Sequence, residues 1–151
     1  MATRKELYAK FGETAEAAQL FETELGTLLF VLSAFENGWH VTPDPKAARK
    51  TLDQIEAHTL GRLLGALKGK IAFDEHLSER FMLALNARNR LNHGFYERHS
   101  FKIQTEEGRD VMIADLEDLH DELFQSWQLA SGLTSSMAEV VAKLRTGSSM
   151  E

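Results

Sequence analysis

The chain has no cysteine among its 151 residues. That excludes disulfides, thiolate metal sites and cysteine nucleophiles, and it suits a cytoplasmic setting. Proline is almost absent: Pro43 and Pro45 stand together, and every other segment is free of this helix breaker. No unbroken apolar run approaches the ~20 residues of a membrane span, so no membrane partner is expected. The opening decapeptide is charged and lacks the apolar segment of a secretory leader. There is no phosphate-cradling glycine loop, so neither a P-loop nor a dinucleotide fingerprint applies, and no serine lies in a nucleophile elbow. Basic residues are also in deficit, with 17 Lys and Arg against 23 Asp and Glu and a net charge of -6. A protein that grips long duplex nucleic acid through its phosphates carries the opposite balance.

What the chain does have is helical periodicity, with almost no strand-like alternation. Four main helices are predicted. The first opens on the capping pattern Thr3-Arg4-Lys5-Glu6. Leu7, Phe11, Ala18, Phe21, Leu25, Leu28, Leu32 and Phe35 then recur at three- and four-residue steps, broken only by Thr14. This helix runs to about Asn37, where Gly38 can end it, a length of ~50 Å if straight. The second begins with Asp44 as N-cap and Pro45 at its first position, and reaches about Leu67 along the stripe Leu52, Ile55, Thr59, Leu63 and Leu67. Asp74 caps the third, which ends between His93 and Glu97. Residues 101–105 read as extended or loop. Thr105 caps the fourth, which runs through Met112, Leu116, Leu119, Leu123, Trp127 and Ala130 and has a kink signal at Ser131-Gly132. The expected fold class is all-α, an up-and-down four-helix bundle with long first and fourth helices. The expected organisation is one domain over 1–146 and a frayed tail at 147–151.

Charge is unevenly spread. Glu106, Glu107, Asp110, Asp115, Glu117, Asp118, Asp121 and Glu122 crowd the fourth helix, whose acidic first turn suits a helix N-terminus. Arg88, Arg90 and Arg98, with His93 and His99, crowd the end of the third. There the segment Arg88-Asn89-Arg90-Leu91-Asn92-His93 reads R-N-x-x-x-H. Asn89 lies one helical turn before His93. Arg88 falls within the apolar face marked by Leu77, Phe81, Ala84, Leu91 and Phe95, and Asn92 shares that arc. A guanidinium in an apolar stripe is costly unless paired. One explanation is a structural salt bridge from Arg88 to Glu24, Glu36 or Asp115. The other is a polar pocket or subunit interface where these groups meet an anion.

This segment resembles the HEPN superfamily (higher eukaryotes and prokaryotes nucleotide-binding), small helical bundles marked by an arginine followed four to six residues later by a histidine. Arg88, Asn89 and His93 match that pattern residue by residue, and Ala87 and Gly94-Phe95-Tyr96 give similar context. The motif spans six residues, whereas the likeness in fold spans most of the chain. The resemblance implies a homodimer whose two motifs face each other across the two-fold axis. It also implies metal-independent RNA cleavage, and a toxin or defence component with a cognate antitoxin protein. In that chemistry the ribose 2′-hydroxyl attacks the adjacent phosphate. Histidine, the side chain that titrates near neutrality, moves protons, and arginine stabilises charge growing on the phosphate. Arg88 and His93 are thus the candidate catalytic residues, with Asn89 supporting. Arg90, Asn92, Arg98 and Tyr96 are candidate RNA contacts, and His99 joins them as a guide. No metal and no cofactor are called for. Some family members carry a modified tyrosine two residues after the histidine; here that position is Phe95, so this regulation is not carried over.

The rival reading is a non-catalytic HEPN-like helical dimer that binds a partner protein or nucleotide. A purely structural bundle is the third. Glu117-Asp118-Leu119-His120 has the E-x-x-H spacing of di-iron bundles, but no second copy occurs to complete such a site. His40, His58 and His76 read as surface residues, and Trp39 and Trp127 as core or interface aromatics.

Overall fold

A computed structural model describes residues 2–150, with side chains described through residue 147. The chain is all-α, with no strand among the described residues. Six helices follow one another: α1 (Arg4–Glu36), α2 (Pro45–Glu56), α3 (Leu60–Lys70), α4 (Glu75–Asn92), α5 (Phe95–His99) and α6 (Glu106–Met150). A 3-10 segment, Ser100–Gln104, joins the last two. α6 keeps helical backbone through residues 147–150 and is continuous past Ser131-Gly132. The remainder of the expected frayed tail, Glu151, lies outside the described residues.

Where the sequence suggests two middle helices, there are three. The apolar rhythm places Thr59 in a buried stripe. It is instead the N-cap of α3, in extended backbone, and its hydroxyl accepts the Arg62 N–H. A threonine offered a choice between helix interior and cap takes the cap because its side chain then satisfies a backbone donor the helix leaves open. The stretch 101–105, expected to be extended or loop, is mostly 3-10 helix.

The chain forms two compact units, each drawn from two stretches of sequence. The first comprises Met1–Phe21 and Asp74–Trp127. Its core is Leu7, Ala17, Ala18 and Phe21 of α1, Phe81, Ala84, Ala87 and Leu91 of α4, and Met112, Leu116, Leu119 and Leu123 of α6. Phe21 and Phe81 are fully buried with ring centroids 5.5 Å apart. Thr14, the interruption in the apolar seam, is itself fully buried. Its hydroxyl donates back to the Lys10 carbonyl at 2.8 Å, so the polar atom enters the core already satisfied.

The second unit comprises Glu22–Phe73 and Gln128–Glu151. Leu25, Leu28, Leu29 and Leu32 of α1 form its core with Ile55, Leu60, Leu63, Leu64 and Leu67. α1 stops at a Schellman motif. Gly38 takes the left-handed conformation (φ 71°), its N–H bonds the Phe35 carbonyl, and the Trp39 N–H bonds the Ala34 carbonyl. An 18-residue window of α1 reaches a mean hydropathy of 1.2, so by length and composition alone this helix could cross a membrane; 44% of that window is buried inside the protein.

Candidate functional site

The R-N-x-x-x-H segment lies in the first unit, at the C-terminal end of α4. Asp74 starts this helix by accepting the Leu77 N–H at 2.7 Å. His93 ends it as C-cap, donating its backbone N–H to the Asn89 carbonyl at 2.9 Å. Gly94 follows in left-handed backbone (φ 82°), a conformation that costs glycine little and other residues more. The turn carries the chain directly into α5.

The buried register of α4 runs through Phe81, Ala84, Ala87 and Leu91. Ala87, not Arg88, is the central buried residue, so Arg88 sits on the flank and is half-buried. Its guanidinium donates to the Asn89 side-chain oxygen at 3.3 Å. This contact orients the amide, leaving the Asn89 NH₂ as the end that can donate onward. Asn92, expected on the buried arc, is exposed. His93 is exposed and its side chain has no hydrogen bond or ion pair among the described residues. Two of the three carboxylates suggested for Arg88 serve other cations: Glu36 meets Lys70 at 2.6 Å, and Asp115 holds Arg90 and His99.

That last grouping is the main polar cluster the sequence did not expose. Asp115 of α6 accepts from Arg90 of α4 through both carboxylate oxygens, at 3.2 and 3.1 Å. It also meets His99 Nε2 at 2.8 Å. Lys102 Nζ approaches His99 Nδ1 at 3.5 Å. An ammonium can only donate, so the tautomer carrying its proton on Nε2 satisfies both contacts. Both ring nitrogens of this buried imidazole are thus taken up within the chain, and the arrangement ties α4, α5 and α6 together. His99 therefore serves packing, and Arg90 has part of its charge compensated by Asp115. The only sequence signal was the excess of acid on the fourth helix opposite the basic end of the third.

Tyr96 belongs to an aromatic cluster that docks α5 onto α1. Its ring lies 5.2 Å from Phe11 and 6.5 Å from Tyr8, while Phe95 packs on Phe11 at 5.7 Å and on His99 at 4.8 Å. Burial first, and the neighbouring Tyr8 second, push the Tyr96 phenol above its ordinary value of 10.0. Arg98 is exposed.

Behind this cluster the segment 100–104 is held by Arg109 of α6, which donates to the Ile103 carbonyl at 2.8 Å and to the Ala2 carbonyl at 2.7 Å. Ser100 opens the segment at φ 52° and ψ -122°, close to the first central position of a type II′ turn, where glycine is the usual residue. The structure thus brings Arg88 and Asn89 into contact, sets His93 one turn further on, and diverts Arg90 and His99 to an internal carboxylate. At the E-x-x-H position, His120 stacks on Phe124 at 5.8 Å, and no cluster of three or more metal-ligating side chains occurs among the described residues.

Comparison with protein-family models, with curated proteins and with solved structures yields no match.

Proposed function

We propose that this protein is a HEPN-like, metal-independent endoribonuclease whose composite site forms at a homodimer interface, with RNA as substrate. The observation that carries the reading is the arrangement at the end of α4. Arg88 is half-buried and joined to the Asn89 amide, while His93 stands exposed one turn later with its side chain uncommitted. The arginine is thereby preorganised for a phosphate and the histidine is open to a substrate hydroxyl. One histidine per subunit supplies one of the two proton-transfer roles that cleavage needs, and a second copy supplies the other. The long first and last helices, with α4 packed against both in the first unit, support a HEPN-like bundle as the finer description of the fold. A cytoplasmic location, a toxin or defence role and a cognate antitoxin follow from the resemblance on this reading.

Arg88, His93 and Asn89 carry the chemistry, and the exposed Arg98 and Asn92 are the best placed to meet RNA. Arg90 contributes less because Asp115 already neutralises part of its charge. The rival reading, a non-catalytic dimer that binds a partner, draws support from the exposed rings of Tyr8 (50%) and Phe101 (77%) in the same unit.

The deciding experiment is cleavage of a labelled RNA in EDTA by the wild-type dimer and by His93→Ala. A proton-transfer residue contributes ~10²–10⁴-fold, so the variant is expected to lose at least about a hundredfold in rate while remaining folded and dimeric. Equal rates in pure dimers would refute catalysis at this site and leave the binding reading.

A further inference from the structure

The second unit contains a cavity of about 500 Å³ between the C-terminal parts of α1 and α6, closed at one end by the turn after α1. The Schellman motif at Gly38 folds the chain back so that Trp39 and His40 lie over the last turns of α1. Trp39 packs against Phe30 with centroids 6.2 Å apart, and His40 stacks on Phe35 at 5.1 Å. These rings make up one wall, and Val141 with its neighbours on α6 makes the other.

Arg145 brings a positive charge to the lining, the Thr146 hydroxyl donates to the Ala142 carbonyl at 2.9 Å, and among the described residues no carboxylate lines the cavity. His40 Nδ1 is a buried atom with no hydrogen-bond partner. A buried polar atom left unsatisfied costs ~1–3 kcal/mol, so a ligand that bonds it recovers part of that cost. An apolar, aromatic-walled cavity of this size with a few convergent polar groups is the usual form of a small-molecule site. The charge selects the ligand: a body that fills the aromatic cavity and an anionic head that accepts from Arg145 and from His40 Nδ1–H.

We propose that this cavity binds a small monocarboxylate with an apolar body, and that it does so independently of the α4 motif. The carboxylate lies against Arg145 and His40, and the apolar body packs on Phe30, Phe35 and Trp39. Arg145 acts here as a charge that the carboxylate joins, whatever contact it makes in the free protein.

The chain has two tryptophans, and Trp127 belongs to the other unit, so the Trp127→Phe protein reports on Trp39 alone. Its emission is followed during titration with octanoate, 1-octanol and octylammonium, three probes sharing one tail. Octanoate is expected to give a saturable change and to bind at least roughly tenfold more tightly than octanol, the factor of a charge-assisted hydrogen bond. In the same background Arg145→Gln and His40→Leu should bring octanoate toward the octanol value, with Arg145→Lys retaining most of the preference. Ala138→Phe, which fills the cavity from α6, should abolish the signal for both. Equal binding of octanoate and octanol, tighter binding of octylammonium, no saturable change, or octanoate binding that survives Ala138→Phe would each overturn the proposal. RNA cleavage is unaffected by any of these outcomes, so the two readings fail separately.

Discussion

Gly108→Ala offers a sharp test of how the polar cluster of the first unit is held. Gly108 lies in the first turns of α6, where its N–H donates to the Thr105 capping hydroxyl at 2.9 Å. A Cβ there would fall 1.9 Å from the Lys102 carbonyl oxygen and 2.6 Å from its carbon. Carbon normally keeps ~3.5 Å from such neighbours, so the backbone of 100–104 must retreat by roughly 1.5 Å. The obstacle is backbone, with no flexible side-chain end to swing aside. Overpacking of this kind costs ~1–3 kcal/mol, and loss of the Arg109 to Ile103 hydrogen bond adds ~0.5–1.5 kcal/mol. Alanine returns ~1 kcal/mol of helix propensity. The net expectation is a loss of about 0.5–3.5 kcal/mol, near 2 at its centre, which is roughly 4–8 °C in Tm at ~2–4 °C per kcal/mol for a chain of this length. Gly132→Ala is the internal control: it sits on the same helix with nothing within 4 Å of the new methyl, so it should gain ~1 kcal/mol. Urea unfolding of the two variants alongside wild type gives both numbers. If Gly108→Ala proves as stable as wild type, the close approach of 100–104 to α6 is wrong, and with it the account of His99 and Lys102.

Three further outcomes are expected. Asp115→Ala should destabilise by about 1–3 kcal/mol because it strips the partner from the buried His99 Nε2–H. Arg90→Ala, which removes only the half-exposed member of the cluster, should cost less than about 1 kcal/mol; chemical denaturation yielding the reverse order would contradict the cluster's geometry. Tyr96 is the sole tyrosine of Tyr8→Phe, and its ultraviolet titration midpoint should stay above 10.0, since burial, the larger cause of its shift, survives that change. The sign follows from the phenolate being the disfavoured form in the folded protein. The stabilisation is whole below the unfolded-state value and is lost as pH rises through the raised one, so stability should fall on the alkaline side only. Thr59→Ala should cost ~1 kcal/mol by thermal melting through loss of the α3 cap, whereas Thr51→Ala on α2 should be near neutral; equal effects would argue that α2 and α3 are one helix.

Much of the fold is legible because helix periodicity and capping are local. The first helix can be read from Thr3 to Gly38, since apolar steps and a left-handed glycine act within a few residues of themselves. The starts of α2, α4 and α6 at Asp44, Asp74 and Thr105 are legible for the same reason: an N-cap needs only the N–H groups of the next turn. Thr59 shows the limit of that logic, because a threonine in an apolar rhythm reads equally as a stripe member or as a cap. His40 and His58 read as surface residues in the sequence, yet each is half-buried with a buried Nδ1, a property set by how the folded chain packs around them.

Local patterning is enough to make the chain helical, to set where most helices begin, and to place Arg88, Asn89 and His93 in one short stretch. Those properties depend on neighbours in sequence. Long-range packing sets the rest: Ala87 takes the centre of the buried face and Arg88 its flank, Asp115 claims Arg90 and His99, and an aromatic cavity with an unpartnered buried imidazole nitrogen forms beside Trp39. Each of those depends on which side chains from distant segments arrive within ~3 Å of one another, and electrostatic and hydrogen-bond energies vary steeply over that distance.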